Sequence, residues 1–404
     1  MNANAMPTTG LLIALFSALL LLALAKSHRA LMRALSRALP AHAKPPTYPS
    51  VTVIRPIRGL DVGAKENLQA LLDIAYPGEW ELFCVLDSEA DPAYPFVRSL
   101  IDGRKSHRAG RVEVLIAGTP PPGRTGKLNA MLLGTQHGRG EILAFNDSDT
   151  RPGPDLLRGL VDALLSNPRA GSAFAPIVAI ADAPGAGDVG YALLVNAWYS
   201  PAVALVAGAE GELPFIMGQF MVFKRQALEA IGGIGCAEGQ LVDDMYIGKR
   251  VAQAGWLNVM IKEPLPVVVG GMGMFQFLRT FRRWILFSQG GLPRDFTRFN
   301  WARGVLGWGA WLLLAAALLS GDAAAAILPG VAIAAFAASQ LRLQKHFGGP
   351  SVPLRYLWIA PLMPIIGAGV ALSTKISRRV NWRGRSYILE RGARLGSGSE
   401  AAGS

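Results

Sequence analysis

Two carboxylates one residue apart end an apolar run in this sequence. The stretch LAFNDSDTRPGPDLL, which begins at Leu143, places Asp147 and Asp149 on either side of Ser148. A helix cap explains one acidic residue in such a position, and Asp155 is better placed for that role. Strand alternation would put both side chains of the pair on one face. Two carboxylates on one face suit a hard divalent cation, so the pair predicts half of a metal–diphosphate site for Mg²⁺ or Mn²⁺.

Three other stretches carry groups that fit the same chemistry. GRTGKLNAM places Arg124 and Lys127 at the start of a predicted helix, where backbone amides and a lysine suit a phosphate, although a plain solvated turn explains the stretch equally well. Asp243 and Asp244 stand together at another predicted helix start. One acid there is ordinarily stabilised by the helix dipole, whereas two in succession indicate a base at the rim of a cleft. Asp87 closes a predicted strand.

Short apolar strands alternate with helices over residues 50–270. Four strands are predicted here: one begins at Ser50, one ends at Asp87, one begins at Arg111 and one begins at Glu141. This alternation predicts an α/β fold with a mostly parallel sheet covered by helices on both faces. In such sheets ligands bind at the carboxyl ends of the strands, which is where Asp87, Asp147 and Asp149 stand.

The N-terminus predicts a membrane anchor. The chain has 404 residues, 51% of them hydrophobic, and the run from Thr9 to Ala25 is uncharged and apolar. A bilayer core of roughly 30 Å requires about 20 such residues. No positive charge precedes Lys26, which argues against a signal peptide. The positive-inside rule therefore predicts a transmembrane anchor over residues 1–26, followed by a basic cytoplasmic linker over 27–49.

Residues 305–374 are predicted to hold further transmembrane segments. Val305–Ser320 and Ala323–Leu341 are read as two crossings. Leu357–Ser373 contains two prolines and has basic residues on both flanks, so a crossing and a broken re-entrant or interfacial hairpin both remain open. Tyr191–Ala207 is also apolar, but Pro201 interrupts it, and we expect it to rest on the bilayer surface.

The positive charge is concentrated beside these apolar segments. The formal net charge is +12. Most of this charge comes from two stretches. Gly271–Arg303 has six basic residues and one acidic residue, and Lys375–Leu395 has seven basic residues and one acidic residue. We therefore predict an interfacial segment over 271–304, a basic cytoplasmic tail over 375–404, and no nucleic-acid partner. The two cysteines, Cys84 and Cys236, are expected to be free thiols.

The acidic motifs, taken in order, resemble a known enzyme series. They are similar to the D, DxD, D and (Q/R)xxRW motifs of membrane glycosyltransferases with a GT-A fold, although Thr280 stands where that series has Gln or Arg. PIRG, FCVLDSEADPA, MGQFMVFKR and NWRGRSY are similar to segments of ceramide glucosyltransferases and their bacterial hopanoid-type relatives. The matched residues are Asp87, Asp147, Asp149, Asp244, Arg283 and Trp284.

The resemblance implies a role for each matched residue. Asp244 would be the general base that deprotonates the acceptor hydroxyl, with inversion at the anomeric carbon. Asp147 and Asp149 would hold Mg²⁺ or Mn²⁺ against the diphosphate. We further expect Asp87, Lys127, Asp147, Arg283 and Trp284 to bind the donor, and Gly218, Gln219 and Trp284 to bind the acceptor.

These inferences predict a multi-pass enzyme of the inner (plasma) membrane with its active site on the cytoplasmic side. It would move a hexose from a UDP-sugar to a lipid hydroxyl, most readily that of ceramide. A hopanoid lipid acceptor and a non-catalytic, sugar-nucleotide-binding membrane protein remain as alternatives. A processive polysaccharide synthase would need several more spans after the catalytic domain than the sequence offers.

Overall fold

The protein contains a central mixed sheet and two small accessory ribbons. The structure, a computed structural model, describes residues 5–36, 45–104, 106–210, 213–288, 294–382, 385–390 and 394–396. Its strands are β1 Val51–Ile57, β2 Trp80–Leu86, β3 Arg111–Ile116, β4 Ile142–Asn146, β5 Ala170–Phe174, β6 Ile177–Ile180, β7 Phe220–Lys224, β8 Leu257–Met260, β9 Leu265–Val268, β10 Arg379–Trp382 and β11 Arg385–Ile388.

The main sheet has seven strands in the order β3-β2-β1-β4-β7-β5-β8. Its first four strands are parallel, and so is the β5–β8 pair, while β7 runs antiparallel between β4 and β5. β6 pairs in parallel with β9, and β10 forms an antiparallel hairpin with β11. The predicted mostly parallel α/β sheet is confirmed.

Helices cover both faces of this sheet. They are α1 Ala5–Ser36, α2 Ala64–Leu72, α3 Ala93–Asp102, α4 Gly126–His137, α5 Leu156–Leu165, α6 Ala186–Leu193, α7 Ser200–Glu210, α8 Arg225–Glu229, α9 Asp243–Gln253, α10 Met274–Ser288, α11 Arg294–Leu319, α12 Ile327–His346 and α13 Ile359–Ile376. Alternate residues of β2 enter different cores: Phe83 and Val85 pack in one, and Leu82 and Cys84 pack in the other. Because both faces are buried, the strands read as nearly continuous apolar runs.

Within the described residues, five helical segments are long and apolar enough to span a membrane, which fits a membrane protein. Three of them, Thr8–Ser36, Phe296–Leu319 and Ala324–His346, correspond to the predicted anchor and crossings. The first helix continues to Ser36, so part of the stretch assigned to a linker is helical. The helices α1, α11 and α12 pack together through Leu24, Ala310 and Phe336.

The segment expected to rest on the bilayer surface lies inside the protein instead. Helix α6, a π-helical turn over Leu194–Tyr199 and helix α7 form one continuous rod. Of the 18-residue apolar window within Ala186–Ala207, 78% is buried. Asn196 is fixed by two hydrogen bonds to the Ala179 backbone in β6, at 2.8 and 3.0 Å. Asn196, a polar residue of this apolar segment, therefore pairs with a strand edge rather than with water.

The proline-containing segment near residue 360 is one unbroken helix, α13, with Pro364 inside it. A proline has no backbone N–H, so it leaves the carbonyl four residues earlier without its helical donor. That carbonyl belongs to Ala360, and it accepts a hydrogen bond of 2.5 Å from Gln340 Nε2 of α12. A neighbouring helix thus supplies the missing donor, and the break that one of the two alternatives requires is absent from α13.

Candidate active site

The predicted acidic residues converge on one cavity. It has a volume of about 210 Å³ and lies at the carboxyl ends of β1, β2 and β4. The sheet order changes direction at β1, as expected for a ligand site in an α/β sheet. Its lining includes Asp87, Lys127, Asp147, Asp149, Gln219, Asp243, Asp244, Arg283 and Trp284.

A turn, rather than strand pleating, places Asp147 and Asp149 side by side. Strand β4 ends at Asn146, so strand alternation is not the reason why the two carboxylates lie on one side. The Thr150 hydroxyl donates to the Asp147 carbonyl at 2.7 Å and accepts from Asn146 Nδ2 at 2.8 Å. The Asp147 N–H donates to the Gln219 carbonyl at 2.9 Å, which ties the turn to the neighbouring chain.

A buried arginine holds the same turn from below. Arg55 lies in β1 and donates to the backbone carbonyls of Ser148 at 2.6 Å and Thr150 at 3.3 Å. A third hydrogen bond of 3.2 Å goes to the Asn67 carbonyl. Burial lowers the pKa of Arg55, and the neighbouring carboxylates, including Asp149, oppose that shift. Arg55 was not predicted as a site residue, although a lone arginine in a β-branched strand was a usable signal.

Lys127 lies in the first turn of α4 and faces the carboxylates. Thr125 caps this helix, because its side chain accepts from the Leu128 N–H at 3.1 Å. Lys127 Nζ is 2.6 Å from Asp147 Oδ1. Burial alone would lower the Lys127 pKa, but the surrounding carboxylates raise it above its ordinary value. Arg124, read together with Lys127 as a phosphate contact, pairs with Glu238 instead.

Asp244 is held at the start of α9 by Gly218. The Gly218 N–H donates to Asp244 Oδ2 at 2.7 Å. A Cβ on Gly218 would lie 2.6 Å from the same oxygen, so only glycine permits this approach. Burial, followed by the charge of Asp243, raises the pKa of Asp244 to about 7, while Lys127 opposes the shift. Gly218, which was predicted to bind the acceptor, contacts Asp244 instead and does not line the cavity. Trp284 and the adjacent Gln219, the other residues predicted to bind the acceptor, do line it.

Asp87 is held by two arginines from distant parts of the chain. Arg58, just after β1, and Arg385, in β11, approach Asp87 Oδ2 at 3.1 and 3.2 Å. The C-terminal hairpin therefore folds back onto the α/β domain, and its residues Val380 and Tyr387 pack against residues that include Leu286. Neither arginine was predicted as a site residue, although PIRG and NWRGRSY had been singled out.

An aromatic wall separates the carboxylate cavity from the apolar helices. Trp284 meets Tyr191 and Tyr199 edge to face, with ring centroids 5.8 and 4.7 Å apart. Both tyrosines belong to the buried rod that contains the π-helical turn, and π-helical turns are frequent at functional sites. Arg283 and Trp284 line the cavity from α10, at the edge where the apolar helices begin.

The acidic residues fit a metal that shares its coordination with a substrate. No group of three or more His, Cys, Asp or Glu side chains able to hold a metal occurs in the described part of the chain. Mg²⁺ is commonly bound by one or two carboxylates together with substrate phosphates, so Asp147 and Asp149 are sufficient. Two further buried oxygens at the cavity, Gln219 Oε1 and Asp243 Oδ2, lack a hydrogen-bond partner among the described residues.

Comparison with known proteins finds similarity to two ceramide glucosyltransferases. Ceramide glucosyltransferase 1 of Caenorhabditis elegans is 24% identical over 250 residues, covering 59% of this chain and 50% of its own length. Ceramide glucosyltransferase 3 of the same organism is 22% identical over 252 residues, covering 61% and 52%. The chain thus spans about half the length of the curated relatives it matches.

A solved structure supports the fold. The mannosyltransferase PcManGT from Pyrobaculum calidifontis, in complex with GDP-Man and Mn²⁺, superimposes with a TM-score of 0.50 at 20% identity, covering 90% of this chain and 99% of that one. The GT-A-like fold is therefore confirmed. The family model Glycosyl transferase family 21 matches residues 10–395, which confirms the family resemblance and the glycosyltransferase class. Because that match covers nearly the whole chain, the protein belongs to glycosyl transferase family 21.

Proposed function

We propose that the protein transfers a hexose from a UDP-sugar to the hydroxyl of a lipid, with ceramide as the first candidate acceptor. The observation that carries this proposal is that Asp244 lines the same cavity as Asp147 and Asp149. A carboxyl with a pKa near neutrality lines the same cavity as an acidic pair suited to a diphosphate-bound metal. The relatives named ceramide glucosyltransferase support the choice of acceptor.

The donor would lie across the carboxyl ends of β1, β2 and β4. Asp87, fixed by Arg58 and Arg385, is the expected contact for the nucleotide. Lys127 and Arg283 would bind the diphosphate, since both cations line the cavity beside the acidic turn. A Mg²⁺ or Mn²⁺ ion held by the acidic pair would offset the charge of the leaving nucleoside diphosphate.

The acceptor hydroxyl would approach Asp244. Gly218 holds Oδ2 of that carboxylate, and the raised pKa suits proton abstraction near neutral pH. Attack by the hydroxyl oxygen on the anomeric carbon, from the side opposite the departing diphosphate, would invert the configuration. Trp284 and Gln219 line the cavity and would orient the acceptor there.

The reaction would take place at the inner leaflet of the plasma membrane, with the catalytic domain in the cytoplasm. Basic residues follow the first apolar run from Lys26 onward, and Arg342 and Lys345 close the segment over α12. Under the positive-inside rule these charges lie on the cytoplasmic side.

A direct test incubates the purified full-length protein with a panel of UDP-sugars and with ceramide, a hopanoid polyol or no lipid. Mass spectrometry then identifies any glycosylated lipid. We expect a hexosylated ceramide. A product formed only with the hopanoid would overturn the acceptor assignment, and nucleotide binding without any product would favour the non-catalytic alternative.

The same assay tests the base. Asp244→Asn should lower kcat by at least about 100-fold, the usual contribution of a general base, while UDP binding stays nearly intact. Asp155→Asn is the matched control, because that carboxylate lies at the start of α5 and pairs with Arg158. Loss of nucleotide affinity as steep as the loss of turnover in Asp244→Asn would show that the base assignment is wrong.

A further inference from the structure

A second and larger cavity begins at the aromatic wall. It has a volume of about 690 Å³, and we call it the apolar groove; it is formed by the π-helical turn over Leu194–Tyr199 and by α10, α11 and α13. Three residues, Tyr199, Trp284 and Ser288, line both this groove and the carboxylate cavity. The two cavities therefore meet, and a ligand in the groove can place one end beside the acidic residues.

Helix α11 gives the groove its length. The lining residues Phe296, Asn300, Gly304, Trp308 and Leu312 recur every four positions, so they form one face of the helix. At 1.5 Å per residue this face extends about 24 Å, most of the roughly 30 Å thickness of a bilayer hydrocarbon core.

The inner end of this face is fixed at the catalytic cavity. Phe296, in the first turns of α11, meets Tyr199 edge to face with ring centroids 5.0 Å apart. Trp308 Nε1, three turns further along, donates to the Pro364 carbonyl of α13 at 3.1 Å. Small residues of α13, Gly367 and Ala368, leave the space between the two helices open. The groove therefore runs from the aromatic wall outward along the helix pair.

The outer side of the groove is open. Trp301, Val305 and Leu312 line it, and they are 69%, 59% and 61% exposed although they are large and apolar. All three lie within Phe296–Leu319, one of the segments apolar enough to span a membrane. Such surface is favourable only against hydrocarbon, so the groove faces the lipid phase and a membrane lipid can enter it from the side.

The groove contains one buried acceptor atom, Asn300 Oδ1, that a ligand could pair with a hydrogen-bond donor. Asn300 Oδ1 is buried and has no hydrogen-bond partner within the described residues. Buried acceptors in folded proteins are nearly always paired, and one left unpaired is destabilising. Asn300 lies one helical turn beyond Phe296, which places its carboxamide close to the catalytic end. A ligand with a polar hydrogen near its headgroup would satisfy it.

We infer that the apolar groove holds a hydrocarbon chain of the lipid acceptor, and that Asn300 accepts a hydrogen bond from an amide N–H or hydroxyl beside the lipid headgroup. This inference rests on the proposed transfer of a sugar to a lipid. The chain lies along α11 and α13, and the headgroup passes the wall of Tyr199 and Trp284 to reach Asp244. An acyl ester has no donor at the corresponding position, so the site discriminates against glycerolipid esters.

Filling the groove tests where the chain lies. A Cβ added at Gly304 meets no atom within 4 Å, so Gly304→Trp places its ring in the groove without a clash at the backbone. Gly369→Trp is the matched control, because Gly369 is exposed on α13, is equally open and does not line the groove. Both full-length variants are assayed in detergent with acceptors of one headgroup and either a long or a truncated chain.

For Gly304→Trp we expect the ratio of kcat/KM for the long-chain to the short-chain acceptor to fall at least about tenfold, equivalent to lost burial of about two methylene groups. The ratio should be unchanged in Gly369→Trp. An unchanged ratio in a folded Gly304→Trp protein, or in the smaller Gly304→Leu if the tryptophan variant unfolds, would overturn the inference.

Asn300→Leu tests the polar contact, since it removes the carboxamide at similar volume. It should abolish the preference for an amide-linked acceptor over the matched ester; a retained preference contradicts the role of Asn300. A photoreactive diazirine on the acyl chain provides a readout that does not need turnover. Cross-links on α11 and α13 in wild type that Gly304→Trp abolishes support the groove even if no sugar is transferred, whereas labelling confined to other helices refutes it.

Discussion

Lys127 Nζ lies 2.6 Å from Asp147 Oδ1 and donates to the Gly218 carbonyl at 3.4 Å. The lysine thus joins α4 to the acidic turn after β4 and to the chain that holds Asp244. The nearby carboxylates of Asp147, Asp243 and Asp244 raise its pKa, so it stays charged at neutral pH. Its positive charge in turn opposes the upward shift of the Asp244 pKa.

The first prediction concerns the pH dependence of turnover. A general base works only when deprotonated, and the pKa of Asp244 is raised to about 7, chiefly by burial. The kcat/KM should therefore increase as the pH rises through about 7 and level off above it, because this parameter reports the free enzyme. Initial rates between pH 5.5 and 8.5 measure this rise with pH, and the residual rate of Asp244→Asn should not show the rise. A flat profile in the wild type contradicts the assignment.

The second prediction concerns Lys127. Lys127→Met removes the cation that opposes the rise in the Asp244 pKa, so the midpoint of the pH–rate profile should move to higher pH. UDP-sugar binding should weaken as well, because the variant would lose the charged contact proposed for the diphosphate. Lys249→Met on the exposed side of α9 is the control and should leave both unchanged. A midpoint that stays in place or falls in Lys127→Met would show that the lysine does not act on Asp244.

The elements around the site follow from local sequence signals. Two of the strands are short apolar runs that lead into the polar residues Asp87 and Asp147. In the structure, β2 ends at Leu86 and β4 ends at Asn146. The helix starts at Gly126, just before Lys127, and at Asp243 were also predictable from nearby capping and acidic residues. These features depend on neighbours in sequence, so composition and spacing identify them.

The remaining site features depend on contacts between distant segments. Arg385 reaches Asp87 across 298 positions, and Arg55 reaches the Ser148 carbonyl across 93. Gly218 is required because Asp244, 26 positions later, packs against its Cα. Spacing cannot indicate which segment will cover another. The burial of Tyr191–Ala207 was misjudged for the same reason, because its polar residues pair with β6 rather than with water.

The third prediction concerns the acidic pair. Asp149→Ala should weaken UDP-sugar binding measured with Mg²⁺ or Mn²⁺ and leave the weaker binding measured in EDTA nearly unchanged, since only the metal-dependent part needs the carboxylate. Titration calorimetry of the donor with and without metal gives both values. Asp155→Ala, outside the cavity, is the control. An equal metal effect in Asp149→Ala and wild type would contradict its role as a ligand.

The fourth prediction concerns the C-terminal hairpin. The Arg385 side chain is 11% exposed, bonds to Asp87, and has a buried Nη1 without a hydrogen-bond partner in the described chain. An added Cβ on Gly126 would lie 2.8 Å from that nitrogen, which places the guanidinium at the start of α4. Arg385→Ala should therefore weaken nucleotide binding at least about tenfold, as expected for a lost charge-assisted contact.

The control for this change is Arg378→Ala, because Arg378 is an exposed arginine just before the same hairpin. The two variants are compared by UDP titration and by thermal unfolding. Equal nucleotide affinities would contradict the role of Arg385 in the donor site. A loss of affinity in Arg385→Ala with an unchanged melting temperature would separate a binding contact from a purely structural one.

The fifth prediction concerns the support beneath the acidic turn. Arg55→Met removes a buried guanidinium that donates to three backbone carbonyls, and methionine cannot replace these hydrogen bonds. The free energy of unfolding should fall by about 3 kcal/mol, within the range for breaking a buried, hydrogen-bonded charge. Arg55→Lys keeps the positive charge and can still donate a hydrogen bond toward part of the turn, so its free energy of unfolding should fall less. Chemical denaturation followed by Trp fluorescence measures both, and stability equal to wild type in Arg55→Met would show that the turn carrying Asp147 and Asp149 holds its shape without the arginine.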